Sequence, residues 1–236
     1  MLHGWNRSIE DLRSLAELLA EHFDIRVIDL PGFGKTPPPP EEGWDTSQYG
    51  DLVLEYIKKN DLKEITLLGH SFGGRVSLRI ACKEPELVKR LILVDSHGLK
   101  PKRGTAKKIK IWLIAKLAKF TKLIDKICAT NLFKEKFAKK FGSPDYLNAG
   151  ILKNTFIKTI KEDQTAELSA IKSRTLLLWG SDDTETPLEM GRRFKTLIKN
   201  SKLIVLEGKG HSPYHGVGAH LCAHHIISFL QSDAEV

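Results

Sequence analysis

Cysteine is scarce in this 236-residue chain, and the three present, Cys82, Cys128 and Cys222, are odd in number and far apart. That argues against a disulfide framework and against a clustered thiolate zinc site, and it fits a reducing, cytoplasmic compartment. No apolar run is long enough to span a bilayer, and no internal repeat is evident, so repeat arrays drop out as well. Acidic residues are nearly missing from one stretch. Residues 100–161 hold seventeen Lys or Arg against Asp125, Glu135 and Asp145, a local balance of 17 − 3 = +14 in a chain whose net charge is +8. The remainder is therefore acidic. Sixteen of the seventeen are lysines, point charges that lack the bidentate fork of arginine. The stretch reads as a solvated basic face rather than a nucleic-acid site.

What is present is an alternation. Ser8 caps a helical pattern carrying Leu12, Leu15, Leu18 and Leu19. Ile25 to Leu30 reads as a strand, and Pro31-Gly32-Phe33-Gly34 and Pro37 to Pro40 force a loop. Leu52, Val53, Tyr56 and Ile57 mark a second helix. Ile65 to Gly69 is a buried strand that runs into a helix after Ser71, and Leu91 to Val94 is another strand. The rhythm breaks over residues 99–170, which hold helical patterns and no clear strand. It resumes with a strand at Thr175–Trp179, a helix at Leu188–Lys199, a strand at Leu203–Leu206 and a helix near Ala219–Leu230. Short apolar strands alternating with helices predict an α/β fold, a mostly parallel sheet covered on both faces. The expected organisation is a core of residues 1–98 and 171–236 with an inserted helical lid at 99–170.

Gly69-His70-Ser71-Phe72-Gly73-Gly74 sits at the strand-to-helix turn. A Gly-x-Ser-x-Gly stretch in that context predicts a serine held in a strained turn with its hydroxyl exposed, at the N-terminus of a helix whose free N–H groups favour negative charge. A serine needs a base, and the base needs a group to orient it. Gly180-Ser181-Asp182-Asp183-Thr184-Glu185-Thr186-Pro187 follows one strand and Gly208-Lys209-Gly210-His211-Ser212-Pro213 follows the next. Both loops fall at carboxyl ends of strands, where ligand sites of open α/β sheets lie. Ser71, Asp183 and His211 are the candidates. Asp182 and Asp95 are rival acids, and His97 and His215 are rival bases. His70 belongs to the turn itself. Gly34-Lys35-Thr36 is not a phosphate loop, because Asp29 stands where a glycine is required and prolines follow. His220 and His224 share a helix face, but no further ligand accompanies them, and no metal or other cofactor is expected.

These motifs resemble the capped branch of the α/β-hydrolase superfamily over essentially the whole chain. His3-Gly4-Trp5 is similar to its oxyanion loop, Asp29-Leu30-Pro31-Gly32-Phe33-Gly34 to the loop after its strand 4, Gly69–Gly74 to its nucleophile elbow, Gly180-x-x-Asp183-x-x-x-Pro187 to its acid loop and Gly210-His211 to its histidine loop. The resemblance implies that Ser71 is the nucleophile, His211 the base and Asp183 its orienting acid, with the backbone N–H groups of Phe72 and Trp5 receiving the oxyanion. Serine at position 71 argues against haloalkane dehalogenases and epoxide hydrolases, which carry aspartate there.

The insertion then implies a lid over the pocket. Ile109, Ile111, Trp112, Leu113, Ile114, Leu117 and Phe120 are denser than one helix face needs, and Trp112 and His70 are the candidate pocket residues. Lysines 107, 108, 110, 116, 119 and 122 fill much of the rest. Membrane contact ranks behind a lid role, since a lid helix is apolar beneath and polar above. In the family three strands precede the oxyanion loop, whereas only Met1 and Leu2 precede His3. A late gene start is expected ahead of a fragment or a closed-up sheet, with strands 1–3 missing, Ile25–Leu30 and Ile65–Leu68 lacking a shared neighbour and Trp5 on an unanchored loop. The leading function is hydrolysis of a small-molecule carboxylic ester or thioester with a small to medium apolar acyl group. The alternatives are a carbon–carbon bond hydrolase and a low-turnover ligand-binding relative. The oxyanion and Asp-Leu-Pro-Gly-Phe-Gly loops also look like those of carboxylesterases that act on acyl-carrier esters, and an acidic acyl carrier would suit the basic lid.

Overall fold

The computed structural model describes residues 1–101, 104–128, 130–141 and 143–232. Four parallel strands, β1 (Ile65–His70), β2 (Val88–Val94), β3 (Arg174–Gly180) and β4 (Ser201–Leu206), lie in the order β1-β2-β3-β4. The helices are α1 (Arg13–Ala20), α2 (Thr46–Lys59), α3 (Phe72–Lys83), α4 (Thr105–Cys128), α5 (Ala138–Phe141), α6 (Pro144–Asn148), α7 (Lys153–Lys161), α8 (Leu188–Leu197) and α9 (Gly218–Gln231). Successive side chains of a strand point to opposite faces, and the sheet uses both. Leu67, Leu91, Leu93, Leu177 and Trp179 pack on α2, α3 and α8, while Leu68, Ile92, Val94, Leu176 and Leu178 pack on α1 and α9. Two buried faces explain why these strands read as continuous apolar runs rather than alternating ones. None of the helices among the described residues is long and apolar enough to cross a membrane.

Two sequence expectations need correction at the edge beside β1. Ile25–Leu30 is not a strand; only Ile28 makes a bridge. Nor are Ile28 and β1 left without a shared neighbour. Leu2 lies between them in parallel bridges to Ile28 and Gly69. Its N–H donates to Leu68 O (2.8 Å), His70 N–H donates to Leu2 O (3.0 Å), and Ile28 N–H donates to Met1 O (3.2 Å). A ladder needs consecutive partners, and so short a neighbour supplies only one bridge on each side. The Trp5 loop is anchored accordingly. Leu30 N–H donates to His3 Nε2 (3.0 Å), and the Trp5 ring packs edge-on against Phe33 and Phe72.

Among its described residues the insertion between β2 and β3 holds helices and no strand, but its two halves differ. α7 packs over the carboxyl ends of the strands through Phe156, which is buried, and Arg75 Nη1 of α3 donates to Thr159 O (2.8 Å). α4 carries most of its described large apolar side chains outward. The side chains of Lys107, Lys108, Lys110 and Ile111 lie outside the described set.

Trp179 ties core to site. It is fully buried, Gly191 lies flat against its ring, and its Nε1–H donates to Thr186 O (2.7 Å) in the acid loop. Trp179→Ala is expected to lower the unfolding free energy by about 3–5 kcal/mol, read as a fall in the urea midpoint with unchanged slope.

Candidate active site

The elbow is built by crowding. Ser71 stands at φ +51° and ψ −110°, a conformation that L side chains rarely adopt and that surrounding structure must enforce. The enforcing contacts surround it. Ser71 N–H donates to Val94 O (3.1 Å), and His97 N–H donates to Ser71 O (3.2 Å). A Cβ on Gly69 would collide with Ser77 Oγ, and one on Gly73 would collide with the Leu2 carbonyl and lie 2.6 Å from His3 O. Glycine at both places is a steric requirement. Phe72 opens α3, so its N–H has no intrahelical acceptor.

Ser71 Oγ–H donates to His211 Nε2 (2.9 Å), and His211 Nδ1–H donates to Asp183 Oδ2 (2.8 Å). Asp183 also accepts Glu185 N–H (2.7 Å) and Thr186 N–H (3.0 Å) on Oδ1, and Thr186 Oγ–H (2.6 Å) on Oδ2. Burial pushes its pKa up, but the bonds from His211 and Thr186 outweigh burial and hold it below the ordinary carboxylate value. The structure thus brings three sequence candidates, Ser71, Asp183 and His211, into one relay. Gly4 packs against His70 and Ser71, which places the Trp5 backbone beside the serine, and both Trp5 and Phe72 line the cavity.

The rivals sort by environment. Asp182 is exposed and bonds Ser181 instead (2.8 Å). Asp95 is fully buried, accepts Gly180 N–H (2.9 Å) and leaves Oδ2 without a partner among the described residues. Burial first, and the neighbouring Asp183 second, raise it to about 8. It is therefore largely a neutral acid beside an ionised one. Burial drives His70 and His97 down to about 3, so neither accepts a proton at neutral pH. His70 Nε2–H donates to the His211 carbonyl (2.6 Å), and the Tyr214 hydroxyl donates to Asp11 (2.6 Å) with its oxygen 2.9 Å from His70 Nδ1. His70 lines the cavity and braces the backbone of His211. His215 pairs with Asp11 (3.0 Å) on the surface.

A cavity of about 310 Å³ opens over Ser71, with Trp5, Phe72, Phe156 and Ile160 as its apolar wall and Arg7, Arg75, Asp145 and Glu185 as its charged one. Trp112 is not part of it. It sits 55% exposed on α4, because among the described residues α7 rather than α4 lines the cavity. Glu185, Arg75 and the α7 residues were not foreseen. Nothing in a single charged residue or an ordinary amphipathic helix signals which side meets a cavity. His97, Glu185 and His211 each present a ligating atom within 4.8 Å of one another. A cation held there would take His211 Nε2 away from Ser71, so metal binding and this relay exclude each other. His220 and His224 are exposed on α9 and join no such group among the described residues.

The family model for the α/β hydrolase fold matches residues 1–132. The chain belongs to the α/β-hydrolase family. A second family model, for TAP-like proteins, matches residues 151–234. An uncharacterized hydrolase of Bacillus subtilis (strain 168), YugF, is 29% identical over 224 residues, covering 89% of this chain and 81% of its own. Lipase 3 of Moraxella sp. (strain TA144) is 25% identical over 224 residues, 90% of this chain and 71% of that one. The crystal structure of a membrane phospholipase A, described as a bacterial virulence factor, shares the fold at a TM-score of 0.74 and 23% identity, over 100% of this chain and 78% of that one. This α/β hydrolase is an enzyme.

The buried acid gives a test of the electrostatics. Because the folded value of Asp95 lies above its ordinary 3.8, its contribution to stability is complete below that value and is lost as pH rises through about 8. Asp95→Asn keeps an acceptor for Gly180 and cannot ionise. It is expected to be more stable than the parent at pH 9, with an advantage that shrinks steadily toward pH 4, measured by thermal melts across pH.

Proposed function

We propose that this hydrolase cleaves carboxylic esters or thioesters of small to medium apolar acyl groups through an acyl-enzyme on Ser71. The reading rests on one observation: the unbroken relay from Ser71 Oγ through His211 to Asp183, at 2.9 and 2.8 Å, facing an open cavity. Ser71 Oγ attacks the carbonyl carbon while its proton passes to His211 Nε2, and ionised Asp183 stabilises the imidazolium. The oxyanion is received by the N–H groups of Phe72 and Trp5. Such donors are typically worth about 3 kcal/mol each in the barrier. As the carbon–oxygen or carbon–sulfur bond breaks, His211 returns the proton to the leaving group. Water then gives a proton to His211 and attacks the acyl carbon; as the bond to Ser71 Oγ breaks, His211 returns that proton to Oγ and the acid is released.

Substrate size follows from the cavity. About 310 Å³ is at the lower end of small-molecule sites, and the apolar wall of Trp5, Phe72, Phe156 and Ile160 suits an alkyl chain. The name of the Moraxella relative, a lipase, supports ester chemistry.

A p-nitrophenyl ester series tests this reading. Turnover is expected to favour short chains and to fall at least tenfold for long ones. Ser71→Ala should lower kcat by roughly 10⁴-fold or more and abolish labelling by a fluorophosphonate. Labelling that persists in Ser71→Ala removes Ser71 from the reading, and a vinylogous diketone turned over faster than every ester replaces it with carbon–carbon cleavage.

A further inference from the structure

Helix α4 is turned the wrong way for a lid. Of the fifteen exposed large apolar side chains among the described residues, eleven lie in the insertion and seven on this helix: Ile109, Trp112, Leu113, Leu117, Phe120, Leu123 and Ile127. Each is close to half exposed or more, from 45% at Leu117 to 73% at Ile127. At 100° per residue they fall within one sector of about 140°. The opposite side, with Ile114, Ala118, Thr121 and Asp125, is the half-buried one. It packs on the segment after the helix, where Asp125 accepts Leu132 N–H (2.7 Å), Phe133 N–H (2.9 Å) and Thr130 Oγ–H (2.6 Å). The arrangement reverses the expectation of apolar beneath and polar above. A contiguous exposed patch of this kind marks an interaction site.

Charge selects the partner. Lys119 and Lys126 border the stripe on one side with Lys122 further round, and Lys116 stands within it, its Nζ 4.1 Å from the centre of the Trp112 ring. The helix's one acid, Asp125, faces away and is fully engaged. Two copies joined stripe to stripe would bring lysines together with no acid to answer them. An anionic lipid surface answers both features at once. Acyl chains accept the stripe, headgroup phosphates accept the flanking lysines, and tryptophan and lysine suit the boundary between them. We infer that α4 lies flat on anionic membranes, apolar stripe down, over a length of about 36 Å. The chain runs from the carboxyl end of β2 past His97 in the cavity wall before α4 begins at Thr105. The inference does not depend on ester chemistry, because binding is read without turnover.

The test is co-sedimentation of the full chain with vesicles of phosphatidylcholine alone and of phosphatidylcholine with 30 mol% phosphatidylglycerol. Partition is expected to be at least tenfold stronger on the anionic vesicles and to weaken at high salt. Leu117→Glu with Phe120→Glu should abolish it, and Lys119→Glu with Lys122→Glu and Lys126→Glu should erase the preference for the anionic lipid. Far-ultraviolet dichroism, melting temperature and hydrolysis of a soluble ester should stay at parent values in both variants. A blue shift in emission on binding, lost in Trp112→Phe, would place the stripe in the lipid. Absence of partition onto anionic vesicles overturns the inference, as does partition that survives the two glutamates. A concentration-dependent dimer, abolished by the glutamates and seen without vesicle binding, transfers the face to a second copy. Capture by a soluble acidic acyl carrier without vesicle binding transfers it to a protein.

Discussion

The turn from β1 into α3 is where three backbones meet at closer range than side chains allow. Gly69 has to clear Ser77, Gly73 has to clear the carbonyls of Leu2 and His3, and Ser71 is left in a left-handed conformation held by hydrogen bonds from its own N–H to Val94 and from His97. The N-terminal segment and the elbow therefore depend on each other. Gly73 leaves room for the Leu2 carbonyl beside β1, and the bridged Leu2, the His3 bond to Leu30 and the Trp5 ring packing together hold the Trp5 loop beside Ser71. A single steric condition positions Ser71 and both segments around it. The strain is the kind that packing must over-determine to preserve.

The second constraint is electrostatic. Asp183 and Asp95 are two buried carboxyls at adjoining strand ends, and they share the burden unequally. Bonds from His211 and from the Thr186 N–H and hydroxyl favour the charge on Asp183. Asp95, with one oxygen bonded to Gly180 and the other orphaned among the described residues, keeps its proton. Like charges so close do not both ionise in a low dielectric. The same logic separates the histidines. Burial leaves His70 and His97 neutral, so the two rings beside His211 surround it without competing with it for a proton.

Much of this was legible in the sequence because each chemical residue follows a strand. Glycine and proline punctuation located Ser71, Asp183 and His211, and apolar runs located β1 to β4. Ile25–Leu30 read as a strand because its side chains look like one, but a strand is a pairing, and composition does not reveal how long the partner is. Trp112 was placed in the pocket for a related reason. Periodicity shows that α4 has an apolar stripe, yet it does not say whether the stripe faces inward. Glu185 and Arg75 gave no local signal at all, since their position in the cavity wall depends on contacts between segments roughly a hundred residues apart.

The cavity has a fixed side and an open side. Arg75 and Thr159 are stitched together across one wall, and Gln164 Nε2–H donates to the Arg75 carbonyl (3.0 Å) just behind it. Asn6, Arg7, Asp145 and Glu185 form an exposed rim that carries both signs of charge. That rim is open to salt, whereas Ser71 and Asp183 are buried, and salt screens exposed charges far more than buried ones. On the proposed mechanism, ionic strength should therefore govern how quickly substrates arrive and which charged leaving groups are admitted, and leave the chemical step almost untouched. The rim is a filter in series with the catalyst, and the two can vary separately.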